Sequence, residues 1–273
     1  MNWATLYAGQ REMELERMPE AVWPPEVVRE VVVAPARPHA SVGIRLEHVA
    51  KSFGTRAVLS DLSLDIAPGQ FLAVVGRSGC GKTTLLRMIA GLESTSAGSL
   101  TIDDRPVAAA KSDVRLLFQE PRLLPWHRVI SNVGIARGLD WRGHAKTALD
   151  DVGLDDRAED WPSVLSGGQR QRVALARALV SQPKALLMDE PFGALDALTR
   201  AEMHNLLLRV RADYGFTAIL ITHDVREAIA LADRIVVLKD GGIAQDIPIG
   251  VPLHLRQSSP RLAHLEKTIL AEV

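Results

Sequence analysis

Three short stretches of this chain carry residues whose types and spacing suit phosphate chemistry. In Gly76-Arg77-Ser78-Gly79-Cys80-Gly81-Lys82-Thr83 two glycines stand five apart and are followed by a lysine and a hydroxyl residue. Glycines let a backbone curl until its N–H groups converge on phosphate oxygens at a helix N-terminus, where Lys82 adds a point charge and Thr83 a ligand for Mg2+. Leu186-Leu187-Met188-Asp189-Glu190 is an apolar run that ends in adjacent carboxylates. Alternation along a strand turns the two side chains different ways, so Asp189 suits a metal shell and Glu190 suits the general base that meets an attacking water. Leu165-Ser166-Gly167-Gly168-Gln169 places a serine at an expected N-cap, with two glycines opening the helix. Exposed N–H groups and the helix dipole favour an anion there as well, so one chain owns two phosphate sites.

The elements that must hold these residues are legible from periodicity. Pro68-Gly69 turns into the apolar run 71–75, which leads into the phosphate loop and a helical pattern over 83–90, the strand–loop–helix context such a loop requires. Ahead of it, Ile44, Leu46 and Val49, then Leu62, Leu64 and Ile66, predict an antiparallel sheet region. Strands are expected over 99–102 and 114–118. Residues 120–165 read as helix and loop, a helical insertion with tryptophans at 126, 141 and 161. A helix over 168–180 sets Val173, Ala176 and Leu179 on one face. Strands over 185–188, 216–222 and 234–239 then alternate with helices over 197–211 and 225–232. Such alternation predicts an α/β fold with a mainly parallel sheet covered on both faces.

Composition narrows the function. The chain has 273 residues, 47% of them hydrophobic, enough for one large α/β domain with a buried core. Its 32 basic and 33 acidic residues are dispersed and give a net charge of -1, so no basic field for nucleic acid is expected. The one cysteine, Cys80, cannot close an intramolecular disulfide, and the N-terminus lacks a secretory pattern, which together fit a reducing cytoplasm. No apolar run is long enough to span a membrane, so any membrane role falls to partners. Residues 1–42, with five of the fifteen prolines, read as a disordered extension or an interaction arm.

The phosphate loop, Gln119 after a strand, Leu165-Ser166-Gly167-Gly168-Gln169, the strand ending in Asp189-Glu190 and Thr222-His223-Asp224 occur in the order found in ABC transporter ATPases, and the chain resembles that family over about residues 44–245. The resemblance implies a P-loop NTPase of ABC type: a mainly parallel core, an antiparallel β-subdomain and a helical subdomain over about 120–180. The ATPase domain would span 43–245 and a partly helical C-terminal segment 246–273. It further implies ATP and Mg2+ as cofactors, with Gly76, Arg77, Ser78, Gly79, Cys80, Gly81, Lys82, Thr83 and Thr84 around the phosphates. Thr83, Gln119 and Asp189 would serve the metal, with Glu190, His223, Gln119 and Lys82 at the chemistry. Gln119 would contact Mg2+ and water and join the core to the helical subdomain, and His223 would bond the γ-phosphate. Two chains would pair head to tail, each ATP lying between one chain's loop and Ser166, Gly167, Gly168 and Gln169 of the other.

Some positions carry two readings. Phe53 matches the aromatic that stacks on adenine, or packs in the core. Asp196 matches a residue that communicates across the dimer, or caps a helix. Arg122-Leu123-Leu124-Pro125-Trp126 offers a groove for a cytoplasmic helix of a membrane subunit, or packs locally. That stretch, Trp161-Pro162 and the run from Gly193 to Arg200 look most like the ATPases of aliphatic sulfonate importers, in a group that also holds the taurine and nitrate importers. The partners implied are a second copy, two transmembrane permease subunits and a periplasmic or extracellular solute-binding protein, with the ATPase peripheral on the cytoplasmic face of the inner membrane. ABC ATPases of DNA repair or translation, with paired cassettes or long coiled coils, fit less well. A phosphate-loop kinase would leave 165–169 and His223 unexplained.

Overall fold

The computed structural model describes residues 41–135 and 141–272. The extension expected over 1–42 lies outside them except for its last two residues. Val42 is fully buried and its carbonyl accepts a 2.6 Å hydrogen bond from the Thr217 hydroxyl, so the packed fold already includes the end of that stretch.

The chain forms β1 (Ile44–Phe53), β2 (Arg56–Ile66) and β3 (Phe71–Val75), then α1 (Lys82–Ile89), β4 (Ala97–Ile102), β5 (Arg105–Pro106), the single turn α2 (Val107–Ala110) and β6 (Val114–Leu117). Three helices follow, α3 (Val129–Gly134), α4 (Trp141–Asp151) and α5 (Gly167–Leu179). The chain then returns to β7 (Ala185–Asp189), α6 (Ala197–Tyr214), β8 (Thr217–Ile221), α7 (Val225–Leu231), β9 (Arg234–Lys239), β10 (Gly242–Pro248) and α8 (Pro260–Glu272). β10 runs past the expected domain boundary at 245.

Among the described residues there are two sheets, one of four strands in the order β2-β1-β4-β5 and one of six in the order β10-β9-β3-β8-β7-β6. The first is antiparallel, as the alternation of Ile44, Leu46, Leu62, Leu64 and Ile66 predicts. In the second, β9, β3, β8, β7 and β6 are parallel and β10 closes one edge antiparallel. The parallel strands are buried on both faces. Phe71, Ala73, Val75, Leu186, Met188, Ala218 and Leu220 enter one core, with the helices α3 to α8. Leu72, Val74, Leu187, Ile219 and Ile221 enter a second core with α1 and the antiparallel sheet. A period of two along each strand divides the side chains between the cores, which is why these strands are apolar throughout.

Sheet order decides what meets at the edge. Because β3, β8, β7 and β6 are parallel neighbours, the segments leaving their C-terminal ends share one side: the phosphate loop, His223, the Asp189-Glu190 pair and Gln119. Ligands of open parallel sheets bind at that edge.

Between β6 and α5 the described residues form the helices α3 and α4. A Cβ on Gly134 of α3 would lie 2.0 Å from Cε3 of Trp141, so only glycine lets the start of α4 close onto α3. Trp126 is 68% exposed, and Trp161 is exposed beneath the Arg128 guanidinium, 5.0 Å from its ring centroid.

Candidate active site

The phosphate loop is shaped by close packing of the β1–β2 hairpin and the β9 end against it. A Cβ on Gly76 would stand 2.3 Å from the Leu238 carbonyl oxygen, and one on Gly81, where φ is +105°, would stand 2.6 Å from Leu59 Cδ2. Any other residue at Gly81 would also pay the left-handed conformation. Gly81 is the N-cap of α1 and offers no side chain, and the first turn has no acidic residue. The first N–H groups of α1 are therefore left for an anion, and the dipole favours one. Lys82 is 6% exposed and donates to the carbonyls of Gly76 at 2.7 Å and Arg77 at 2.9 Å, so the lysine holds the loop's curl from inside.

These elements enclose an open cleft of about 400 Å³ lined by Arg56, Val58, Ser78, Gly79, Gly81, Lys82, Thr83, Thr84 and Glu190. The Thr83 hydroxyl donates to Asp189 Oδ1 at 3.2 Å, which joins the start of α1 to the end of β7. Burial raises the Asp189 carboxyl above the ordinary carboxylate range; the Thr83 bond opposes this and the neighbouring Glu190 charge adds to it. Two oxygen groups thus converge beside the phosphate loop at a site where a cation would be stabilised.

Glu190 corrects the simple picture of strand alternation. It has left the strand at φ +46°, a left-handed conformation that a non-glycine residue adopts at a cost of about 1 kcal/mol or more. Its N–H donates to the Ile221 carbonyl at 2.9 Å, and its Oε2 lies 3.1 Å from His223 Nδ1. This carboxylate–histidine pair links the ends of β7 and β8. Nothing in the spacing of the two residues, 33 apart, signals that they bond each other.

Ser166 and Gln169 form a reciprocal capping box: the Gln169 N–H donates to Ser166 Oγ at 3.2 Å, and the Ser166 N–H donates to Gln169 Oε1 at 2.9 Å. Gly168 is buried, and a Cβ there would come within 2.4 Å of Thr199 Cγ2, so this helix start is packed on the first turn of α6. Residues 166–169 do not line the cleft that the phosphate loop forms.

Asp196 is the N-cap of α6, accepting from the N–H groups of Leu198 and Thr199 and, at 2.7 Å, from the Thr199 hydroxyl. These bonds, the Thr199 N–H first, hold its carboxyl below the usual range. Phe53 is 49% exposed at the hairpin tip with Lys51 Nζ 4.8 Å from its ring centroid, so it is not a core residue. It does not line the cleft in this structure. Gln119 is exposed after β6, near Gly193 of the segment that follows Glu190. In the 122–126 stretch Leu123 packs on the core and Trp126 projects outward.

Sequence reasoning missed the residues that brace Gln119. Gln171 of α5 donates to the Phe118 carbonyl at 3.3 Å, and Arg177 of α5 donates to the carbonyls of Pro121 and Arg122. Asn132, fully buried, accepts from the Leu124 N–H and donates to the carbonyls of Leu124, His127 and Arg128. A lone amide in the apolar run Val129 to Val133 was the available signal, since a buried amide must bond something.

Cys80 is half-buried in the loop, with its Sγ 2.9 Å from the position a Gly76 Cβ would take. A bulky maleimide on Cys80 is expected to remove most ATPase activity, and ATP to slow the labelling. Equal labelling with and without nucleotide, or full activity in the labelled protein, would take Cys80 out of the site.

A phosphate loop at the C-terminal edge of a parallel sheet, a carboxylate pair beside it, and a capped glycine helix start on a separate helical insertion define an ATP-hydrolysing cassette. The ABC transporter family model matches residues 59–193. The chain is 54% identical over 230 residues to the aliphatic sulfonates import ATP-binding protein SsuB of Pectobacterium atrosepticum, covering 84% of this chain and 86% of that protein. It is 55% identical over 230 residues to SsuB of Yersinia pestis, covering 84% and 85%. Among solved structures it resembles the ATP-binding cassette MJ0796, a dimer in a post-hydrolysis state bound to ADP and Pi, with TM-score 0.68, 31% identity and coverage of 77% and 100%. It also resembles cbiO1 of Clostridium perfringens, with TM-score 0.72, 25% identity and coverage of 83% and 98%. This chain belongs to the ABC transporter ATP-binding family, and it is an ATPase.

Proposed function

We propose that this chain energises an ABC importer for aliphatic sulfonates: a homodimer that binds and hydrolyses ATP on the cytoplasmic face of the inner membrane, beneath two permease subunits fed by a solute-binding protein. The observation that carries the dimeric mechanism is the separation of the two anion sites. The loop cleft lacks 166–169, and Ser166 and Gly167 at the capped helix start are exposed, so a second copy is what brings the two halves onto one nucleotide. Identity of 52–55% to proteins named for aliphatic sulfonate import supports the substrate class over taurine, nitrate or another small anion. Among the described residues no helix is long and apolar enough to cross a membrane, and the transport path is assigned to the partners.

The chain's own groups divide the work. Lys82 and the first N–H groups of α1 hold the phosphates. Glu190 accepts the proton of the attacking water, and His223, bonded to Glu190 before nucleotide binds, turns to the γ-phosphate. Mg2+, when bound, supplies positive charge that offsets the charge of the phosphate oxygens. Thr83, Asp189 and Gln119 would hold it.

The test is ATP turnover by the chain assembled with its permease and binding protein in vesicles. An alkanesulfonate should stimulate it several-fold while taurine and nitrate do not. Stimulation by taurine or nitrate alone would move the substrate assignment, and turnover indifferent to every solute would overturn the importer reading.

A further inference from the structure

We propose that Arg56 is a further nucleotide-binding residue, its guanidinium meeting the phosphate chain between the base and Lys82. The inference rests on the reading of the loop cleft as the ATP site. Arg56 opens β2 and is the cross-strand partner of Phe53 across the turn Gly54-Thr55, so the two side chains leave the hairpin on one face. Two and three residues further along β2, Val58 and Leu59 press on the loop: a Cβ at Gly81 would lie 3.0 Å from the Val58 carbonyl oxygen and 2.6 Å from Leu59 Cδ2. The Ser60 N–H also donates to the Gly241 carbonyl at 2.9 Å. The hairpin is therefore seated on the phosphate loop, and Arg56 lines the same cleft as Ser78, Lys82 and Thr84.

Among the described residues the Arg56 guanidinium has no hydrogen bond, ion pair or ring partner, whereas Lys82 spends two donors on its own loop. An exposed arginine with nothing to bind, on the wall of an anion site, is a cation without its counter-charge. A nucleotide whose base rests on Phe53 passes Arg56 before its phosphates reach Lys82, which places the contact at the α- and β-phosphates shared by ATP and ADP.

Arg56→Ala removes no contact of the folded chain, so circular dichroism and melting should match the parent. Its Kd for ATP and for ADP should each rise about tenfold, the loss of one charge-assisted contact. The KM for ATP should rise with kcat nearly unchanged, and Arg56→Lys should recover part of the affinity. Parental affinity in Arg56→Ala, measured beside a Lys82→Ala protein that has lost ATP binding, would overturn the proposal and leave the cleft assignment standing. Parental affinity in both variants would overturn the cleft assignment and this proposal with it. A loss for ATP but not ADP would move the contact to the γ-phosphate and reject the placement argued here.

Discussion

Glu190→Gln should bind ATP and turn it over about 10²-fold or more slowly. The substitution keeps the size of the side chain and a hydrogen-bonding oxygen for His223, now 3.1 Å from Oε2, but removes the carboxylate that accepts the proton of water. Unhydrolysed ATP should then hold two chains together, since in the mechanism proposed above the loop cleft and the 166–169 helix start meet across a dimer. Light scattering beside phosphate release should show a variant that is dimeric in ATP and monomeric without it. Ser166→Arg tests the same interface from its other side and should block the dimer. It also removes the capping box, at about 1 kcal/mol, a modest part of the stability of a domain and one that circular dichroism can check. Normal hydrolysis by Glu190→Gln would reject the base assignment. An inactive variant that stays monomeric in saturating ATP would spare the base and count against the shared site.

Lys82→Ala should weaken ATP binding by roughly 10²-fold, because it takes away both the nearest cation and the strut that holds the loop's curl. The lysine is buried and donates to Gly76 and Arg77, so its removal also takes that donor from the Gly76 carbonyl and leaves the Arg77 carbonyl with the Cys80 N–H at 3.3 Å. Thermal stability separates the two effects. At an ATP concentration 100 times its Kd the parent gains about 2.7 kcal/mol from binding, whereas a variant with a 10²-fold higher Kd gains about 0.4 kcal/mol. The nucleotide-dependent shift in Tm should nearly vanish, with a smaller fall in the nucleotide-free Tm from the lost strut. A folded Lys82→Ala protein that keeps the full shift would show that the phosphates lie elsewhere.

Local patterns made much of this site readable. A glycine-rich loop between an apolar strand and an amphipathic helix is a contiguous feature, as are the capping box of Ser166 and Gln169 and the Asp189-Glu190 pair after β7. Their backbone requirements act within a few residues, so spacing alone carries them. At two positions with open readings the structure adds contacts: Asp196 spends both oxygens on the start of α6, and Phe53 stands half exposed outside the core. The cap does not remove the role proposed for Asp196 across the dimer, but it shows why an aspartate is stable there in the single chain.

What the sequence determined by itself was most of the elements, a mainly parallel sheet covered on both faces, and the candidate phosphate-binding residues. What only the tertiary structure decided was which of them meet. The order β3-β8-β7-β6 sets Glu190 beside His223, 33 residues away, and brings Thr83 to Asp189 across 106 residues. The seat of β2 on Gly81 carries Arg56 to the cleft wall, and α5 reaches back with Gln171 and Arg177 to brace the segment around Gln119. Hydrophobic periodicity tells a strand which faces to bury but not which strand will be its neighbour. That choice depends on how all the crossover helices pack at once, and the left-handed turn at Glu190 follows from that packing and not from any preference of glutamate.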